Sequence, residues 1–306
     1  MSMAAEISAH RSPSRTLYDP LPGTGYRALR RIGGGSTSEV FEATGPSIPR
    51  CAVKVLRSVF VDTPDAVFRL EQEARALAAL YHPGVAPVLD AGTTATGRPY
   101  FVMPRLTGET VKDRLARLGP MTPAEACGIM VEVLEALDAA HRAGVVHRDV
   151  KPGNVFLCRG AGAGAQRALL LDFGVAKILA WPGRFTTDAR IVGTPRYLAP
   201  EQILGGLVDG RTDVYAAGLT LFEMIAGRSP FDGDGLLEPM RAHLEDAPLR
   251  LRSQARVPDE LDHAVARALA KPPAHRWPTA GVFASVLDRV QASEAPARRS
   301  ARRVAS

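Results

Sequence analysis

The chain has 306 residues, enough for one large or two smaller domains, and carries 38 Lys and Arg against 32 Asp and Glu. Half of the resulting net charge of +6 lies in residues 291–306, so the body is only mildly basic and does not indicate a nucleic-acid groove. The cysteines Cys51, Cys127 and Cys158 are odd in number and form no CxxC pair. They indicate neither a disulfide framework nor a cysteine zinc site, and a cytoplasmic location is expected.

The two ends of the chain differ in composition from its middle. Residues 1–20 are rich in Ser, Ala, Arg and Pro and predict a disordered arm, and residues 291–306 predict a disordered basic tail. No apolar run reaches about 18 residues, and the N-terminus lacks the apolar core of a signal peptide, so no membrane span is predicted.

The first ordered stretch predicts two strands joined by a glycine-rich turn. Ile32 leads into Gly33, Gly34 and Gly35, and Val40 follows the turn. Because glycines have no side chain, their backbone amides can approach a phosphate group closely. A glycine turn alone is a weak signal, since most such turns bind nothing.

A lysine stands inside the next predicted strand, Ala52–Leu56. Lys54 has apolar neighbours and therefore needs a counter-charge. Residues 64–80 show the apolar spacing of a helix, with Phe68, Leu70 and Leu77 among the apolar positions, and supply two acidic candidates. Glu73 is expected to share the inward surface of this helix, whereas the alternative, Glu71, points roughly the opposite way.

A hinge is predicted at Met103–Gly108, after two further strands at 85–89 and 100–103. Adenine bound at such a hinge needs a carbonyl for its amino group and an N–H for its ring nitrogen. Pro104 can supply the carbonyl although it has no N–H, and Leu106 can supply the donor. The proline is therefore compatible with purine binding.

The segment His147–Asn154 holds a carboxylate, a lysine and an amide in one short loop between two short predicted strands, 144–146 and 155–157. Asp149 and Asn154 can turn toward one point if the loop curls. The carboxylate can orient and deprotonate a hydroxyl, the amide oxygen can hold Mg²⁺, and Lys151 can neutralise a phosphoryl group. Any one of these residues alone would be read as part of a polar turn.

A second carboxylate follows a predicted buried strand, Leu169–Leu171. Asp172 is well placed there to hold Mg²⁺ between phosphates. The chain from Asp172 to Glu201 has no clear periodicity, and a loop of that length is usually functional or disordered. Long helices are predicted at 122–142, with Thr122 as the N-cap, and from Asp213 to Gly227, so the second half is mostly helical.

Together these residues resemble the motif set of the protein kinases. The matching residues, in family order, are Gly33-x-Gly35, Ala52-Val53-Lys54, Glu73, His147-Arg148-Asp149, Asn154, Asp172-Phe173-Gly174 and Ala199-Pro200-Glu201, with Asp213 and Arg276 at later anchoring positions. Lys151 and Gly193-Thr194-Pro195 resemble the serine/threonine branch. The sequence is similar to bacterial Hanks-type (PknB-like) enzymes over about residues 26–290.

The resemblance implies an α+β, bilobal protein-kinase fold. Residues 26–103 would form an N-lobe with a small five-stranded antiparallel sheet and one main helix, and residues 107–290 a larger, mainly helical C-lobe. The implied activity is ATP-dependent phosphorylation of Ser and Thr in protein substrates, with Mg²⁺ or Mn²⁺, in signal transduction. Self-association would allow autophosphorylation in trans, and no specific nucleic acid is expected as a partner.

The resemblance also assigns roles to single residues. Asp149 would be the base, Lys151 would stabilise the γ-phosphoryl group, and Lys54, held by Glu73, would contact the α- and β-phosphates. The implied metal ligands are Asn154 and Asp172. The implied ATP contacts are Ile32, Gly33, Gly34, Gly35, Val40, Ala52, Lys54, Met103, Pro104, Leu106, Phe156 and Asp172.

Two further expectations concern control of the enzyme. Ser38 replaces the third glycine of the loop pattern, which is expected to alter ATP affinity without abolishing activity. Thr186 and Thr187 are the candidate phosphorylation sites, and Arg148 is expected to receive the phosphate.

Three other functions are considered. A pseudokinase scaffold would be favoured by loss of Lys54, Asp149 or Asp172, all of which are present. A small-molecule phosphotransferase is disfavoured by the long 172–201 segment. A nucleic-acid or membrane-surface role of the arginine tail could coexist with catalysis.

Overall fold

The computed structural model describes residues 19–35, 37–159, 166–172, 195–231, 233, 235 and 237–304. The side chains of residues 65, 69, 73, 76, 195 and 294–304 lie outside this description.

An antiparallel sheet of five strands forms the N-terminal part, in the order β1-β2-β3-β5-β4. The strands are β1 (Arg27–Gly34), β2 (Ser38–Thr44), β3 (Cys51–Leu56), β4 (Asp90–Thr93) and β5 (Pro99–Pro104). One face of β2, β3 and β5 is closed by an apolar cluster that includes the buried Leu21. The carbonyl of the buried Pro20 accepts a hydrogen bond from Arg98. Contacts between the N-terminal segment and the sheet therefore already include the last residue of the predicted arm. Residues 1–18 lie outside the described part.

Helix α1 (Pro64–Ala79) packs against β5 and β3 and confirms the predicted helix. Its inward residues include the buried Leu70 and Leu77. The expectation that Phe68 also faces inward is wrong, because that side chain is 55% exposed. Positions 68 and 70 lie about 200° apart around a helix, so both cannot face the core.

The strand predicted at 85–89 is absent from the described structure. Val85 forms one isolated bridge to Leu170, and the strand that pairs with β5 is β4. Pro87 lacks the N–H that a ladder needs, and Val85 and Ala86 are buried. Val85 and Ala86 are therefore buried by packing against other elements, without the hydrogen bonds of a continuous β-ladder.

Helices build the C-terminal part around α3 (Pro123–Arg142) and α5 (Gly210–Ala226). The Thr122 hydroxyl caps α3 by accepting from the Glu125 N–H at 3.3 Å, as predicted. Gly227, at φ 72°, ends α5 in the left-handed conformation that favours glycine. The other helices are α2 (Val111–Leu118), α4 (Pro200–Leu204), α6 (Leu237–Glu245), α7 (Asp259–Ala268) and α8 (Ala280–Val304).

A small sheet of β6 (Gly108–Thr110), β7 (Val155–Arg159) and β8 (Gln166–Leu170) lies beside the predicted catalytic loop. It confirms an apolar strand after this loop. The stretch before the loop, 144–146, was expected to be a strand but joins no ladder. It enters the loop directly from the end of α3.

Helix α8 continues to Val304, into the segment for which a disordered tail is predicted. Val286, Leu287 and Val290 of α8 are buried, and α8 packs along α3. Within the described residues, no helix is both long and apolar enough to cross a membrane.

Candidate active site

A cleft of about 1140 Å³ opens between the sheet and the helical part. Every predicted site residue that the structure describes with its side chain lines this cleft. These residues are Ile32, Gly33, Gly34, Gly35, Val40, Ala52, Lys54, Met103, Pro104, Leu106, Asp149, Lys151, Asn154, Phe156 and Asp172. The exceptions fall outside the described residues: the side chain of Glu73, and Thr186 and Thr187.

The glycine-rich turn is closed by a backbone hydrogen bond from the Gly35 N–H to the Ser38 carbonyl, at 2.9 Å. Gly34 has φ 151°, and a Cβ there would lie 2.8 Å from the same carbonyl oxygen, so only glycine fits. A Cβ on Gly35 would meet no atom within 4 Å. The turn therefore offers open backbone over the cleft, as a phosphate cradle requires. Ser38 is buried in β2.

Lys54 reaches the cleft from the buried strand β3, and its Nζ lies 2.9 Å from Oδ1 of Asp172. The predicted partner Glu73 belongs to α1, but its side chain is outside the described residues and the pairing stays a prediction. Glu71, the alternative, is 43% exposed and lies 3.9 Å from Arg75. It faces solvent, which argues against it as the partner of the buried lysine.

Two motif residues have unusual backbone conformations. Arg148 has φ 65° and Asp172 φ 53°, and among the described residues no other non-glycine residue has positive φ. Such conformations cost on the order of 1–3 kcal/mol each and persist only where surrounding contacts impose them. Here the fully buried carboxylate of Asp213 accepts from the N–H groups of His147 and Arg148, at 2.8 and 2.7 Å. Asp213 thus holds the turn that presents Asp149.

His147 connects the two carboxylate loops. It is fully buried, and its Nε2 donates to the Leu171 carbonyl at 3.0 Å while its Nδ1 accepts from the Asp149 N–H at 3.2 Å. Burial lowers the pKa of His147, so the ring is neutral at pH 7. The contact at Leu171 was missed from the sequence because a backbone carbonyl leaves no residue-type signal.

Asp149 lies among polar groups of its own loop. Its Oδ2 is 2.8 Å from Lys151 Nζ and accepts from Asn154 Nδ2 at 3.1 Å. Asn154 Nδ2 also donates to the Asp149 carbonyl at 2.9 Å. Because its nitrogen faces Asp149, the amide oxygen of Asn154 is directed elsewhere and is suited to a cation.

The oxygen donors in the cleft fit a magnesium–nucleotide complex. Asp172 supplies a carboxylate and Asn154 an amide oxygen, both of the hard-ligand type that Mg²⁺ prefers. Magnesium sites of this kind use one or two protein oxygens, and phosphate oxygens and water complete the coordination.

A buried carboxylate that the sequence did not reveal joins the sheet to the hinge. Glu42 of β2 pairs with Arg30 at 2.8 Å, with Arg50, and with Arg105 of the hinge at 3.5 Å. The hydrogen bond from Arg50 is the largest cause that lowers the pKa of Glu42 to about 2, and Arg30 acts in the same direction. The Arg105 guanidinium also contacts the Leu106 carbonyl. These residues come from separate segments, so no local pattern could group them.

A second buried ion pair anchors Glu201, the last residue of the 172–201 segment. Arg276 donates from Nη1 and Nη2 to the two carboxylate oxygens of Glu201, at 2.7 and 2.8 Å. Thr212 donates to the same carboxylate at 2.6 Å. Burial alone would raise the pKa of Glu201, but the hydrogen bonds from Arg276 and Thr212 hold it below its usual value. Arg276, which resembles an anchoring residue of the family, thus binds the glutamate of the Ala199-Pro200-Glu201 motif.

Comparison with known families gives one match that spans most of the chain. The protein kinase domain family matches residues 26–286.

Relatives support the same assignment. The serine/threonine-protein kinase PknB of Mycolicibacterium smegmatis is 38% identical over 271 residues, covering 87% of this chain and 43% of that protein. Pkn1 of Myxococcus xanthus is 37% identical over 281 residues, covering 90% and 40%. This chain therefore spans less than half the length of these relatives. Among solved structures, the PknI kinase domain of Mycobacterium tuberculosis has a TM-score of 0.69 at 31% identity, covering 87% of this chain and 96% of that one.

Proposed function

This chain belongs to the protein kinase family, and from that premise we propose that it transfers the γ-phosphoryl group of ATP to serine and threonine hydroxyls of proteins. The predicted kinship with bacterial PknB-like serine/threonine kinases and the α+β, bilobal fold are confirmed by the family match, the relatives and the solved structures. One observation carries the proposal: Lys54, Asp149, Lys151, Asn154 and Asp172 all line one cleft.

In the proposed reaction, Asp149 orients the acceptor hydroxyl and takes its proton. The hydroxyl oxygen bonds to the γ-phosphorus as the bond from that phosphorus to the β–γ bridging oxygen breaks, which leaves ADP. Lys151, 2.8 Å from Asp149, stabilises the charge that develops on the transferred group. Lys54 would hold the α- and β-phosphates, and Asn154 and Asp172 would hold the metal. A bound metal would supply neutralisation of the phosphate charge.

The adenine is proposed to bind along the hinge. The Pro104 carbonyl would accept from the amino group and the Leu106 N–H would donate to the ring nitrogen. Ile32, Val40, Ala52, Met103 and Phe156 supply apolar surface in the same cleft.

We also propose the metal, the domain limits, the location and the partners. The family uses ATP with a divalent metal, and Mg²⁺ or Mn²⁺ is proposed here. The lobe limits 26–103 and 107–290, the cytoplasmic location, signalling, self-association and the absence of a specific nucleic-acid partner are proposed in the same sense.

Purified protein with MgATP and an acceptor protein is expected to produce phosphoserine or phosphothreonine. The matched variant Lys54→Met removes the phosphate-holding cation and is expected to lose activity while keeping its fold. Transfer of radiolabelled phosphate, with phosphoamino-acid analysis and circular dichroism of both proteins, measures this. Equal transfer by the variant would contradict the role of Lys54. Label found only on a small molecule would favour the phosphotransferase alternative.

Phosphorylation of Thr186 or Thr187 by the enzyme itself is also expected, although both lie outside the described residues. Arg148 supports this proposal, because its buried Nε has no hydrogen-bond partner among the described residues. A phosphate would supply charge-assisted bonds there. The Thr186→Ala/Thr187→Ala double variant is expected to lose activity several-fold, with the exposed Thr93→Ala as control. Mass spectrometry of active protein decides it: unmodified threonines and a fully active double variant would refute the proposal.

A further inference from the structure

A buried histidine lies behind the part of the cleft wall that Arg196 and Tyr197 form. His243 of α6 is fully buried, and its Nε2 lies 3.1 Å from the carbonyl oxygen of Arg196. A carbonyl can only accept, so Nε2 carries the proton and Nδ1 must accept. The hydroxyl of Tyr215 lies 2.9 Å from Nδ1 and is its donor. The hydrogen bond from Tyr215 therefore fixes the tautomer that binds Arg196.

The ring and the backbone of His243 make further contacts. It packs edge-on against Phe231, with ring centroids 4.7 Å apart. Lys271 donates to the carbonyls of Ala242 and His243, at 2.9 and 2.7 Å. Burial lowers the pKa of His243 to about 4, and the Lys271 cation acts in the same direction, so the ring stays neutral at pH 7.

Tyr215 anchors this chain of contacts in the core of the C-terminal part. It is fully buried in α5, and the Arg276 guanidinium lies 4.7 Å from its ring centroid. Arg276 in turn binds Glu201, as described above. Tyr215, the hydrogen-bond donor to His243, is thus packed against the same arginine that binds Glu201.

The residue that His243 holds belongs to the cleft wall. Arg196 and Tyr197 line the cleft together with Asp149, and the Tyr197 hydroxyl donates to Glu223 at 2.6 Å. The Arg196–Tyr197 stretch is therefore held at two points. The backbone carbonyl of Arg196 binds His243, and the side chain of Tyr197 binds Glu223. The predicted adenine contacts lie on other segments: β1, β2, β3, β5, the hinge and β7.

We propose that His243, oriented by Tyr215, is a positioning residue that fixes Arg196–Tyr197 as a docking surface for the polypeptide substrate. The inference rests on the proposed kinase function, and what it adds is the role of His243 and Tyr215 in holding this part of the cleft wall. Loss of the contact would let the wall shift, and binding of the polypeptide would weaken without a change in nucleotide binding.

The first test is Tyr215→Phe, which keeps the ring against Arg276 and removes only the hydroxyl. The KM for an acceptor peptide is expected to rise about three- to tenfold, as for loss of one buried hydrogen bond, while the KM for ATP stays unchanged. His243→Gln keeps an N–H donor and an acceptor, so its peptide KM is expected to lie between those of the wild type and His243→Leu.

Trp277→Phe is the control, since it removes a partly buried hydrogen bond, 3.0 Å long, from an aromatic ring to the Ala264 carbonyl. It is expected to lower the melting temperature and leave both KM values unchanged. If Tyr215→Phe behaves in the same way, the positioning role is overturned.

Hydrogen exchange provides a readout that does not need activity. The amides of residues 196 and 197 are expected to exchange faster in Tyr215→Phe, and exchange at the wild-type rate would overturn the inference. Absence of phosphate transfer by the wild-type protein would overturn the proposed function instead, and exchange would still decide the positioning role.

Discussion

Asp149→Asn is expected to lower kcat by at least about two orders of magnitude, with little change in the KM for ATP. Asparagine keeps the shape of the side chain, but it cannot accept the proton of the acceptor hydroxyl. It also replaces the anion that lies 2.8 Å from Lys151. Steady-state kinetics with an acceptor peptide and saturating MgATP measure the effect.

The matched control is Asp113→Asn. Asp113 lines the same cleft, but its exposed carboxylate accepts from the Thr110 hydroxyl at the start of α2. We expect near-normal turnover from this variant. Near-normal turnover from Asp149→Asn as well would rule out Asp149 as the base.

Arg276→Met is expected to destabilise the fold by about 3–5 kcal/mol, because it leaves the carboxylate of Glu201 buried without its cation. Both partners of this pair are buried, and the pair shares two hydrogen bonds. Urea unfolding followed by circular dichroism measures the free energy of unfolding.

The surface pair of Arg241 and Asp246 provides a control with the same fork geometry. Arg241 donates to both oxygens of Asp246, at 2.7 and 3.0 Å, but the two side chains are 55% and 42% exposed. Arg241→Met should cost less than about 1 kcal/mol. Equal losses in the two variants would show that burial of the Arg276 pair is not what stabilises it.

The pH dependence follows from the lowered pKa of Glu201 in the folded protein. A carboxylate with a lowered folded pKa stabilises the protein above its unfolded pKa, about 4.3 for Glu, and this contribution is lost as the pH falls through the folded value. The stability difference between wild type and Arg276→Met is therefore expected to shrink below about pH 4.

The sequence by itself determined those features whose cause is local. Gly227 ends α5 because the left-handed conformation favours glycine, and Thr122 caps α3 because a hydroxyl can reach the third following N–H. The motif residues could be grouped because their order and spacing match a known family. The cleft then brings together Lys54, Asp149 and Asp172 as that grouping predicted.

Only the tertiary structure decided the contacts that join distant segments. Residues 85–89 are apolar enough for a strand, but only Val85 and Ala86 are buried, and Val85 forms one isolated bridge in place of a ladder. The Glu42 cluster and the Tyr215–His243–Arg196 chain depend on which segments pack side by side. A hydrogen bond acts over about 3 Å, so such partners are set by the folded packing and not by spacing along the sequence.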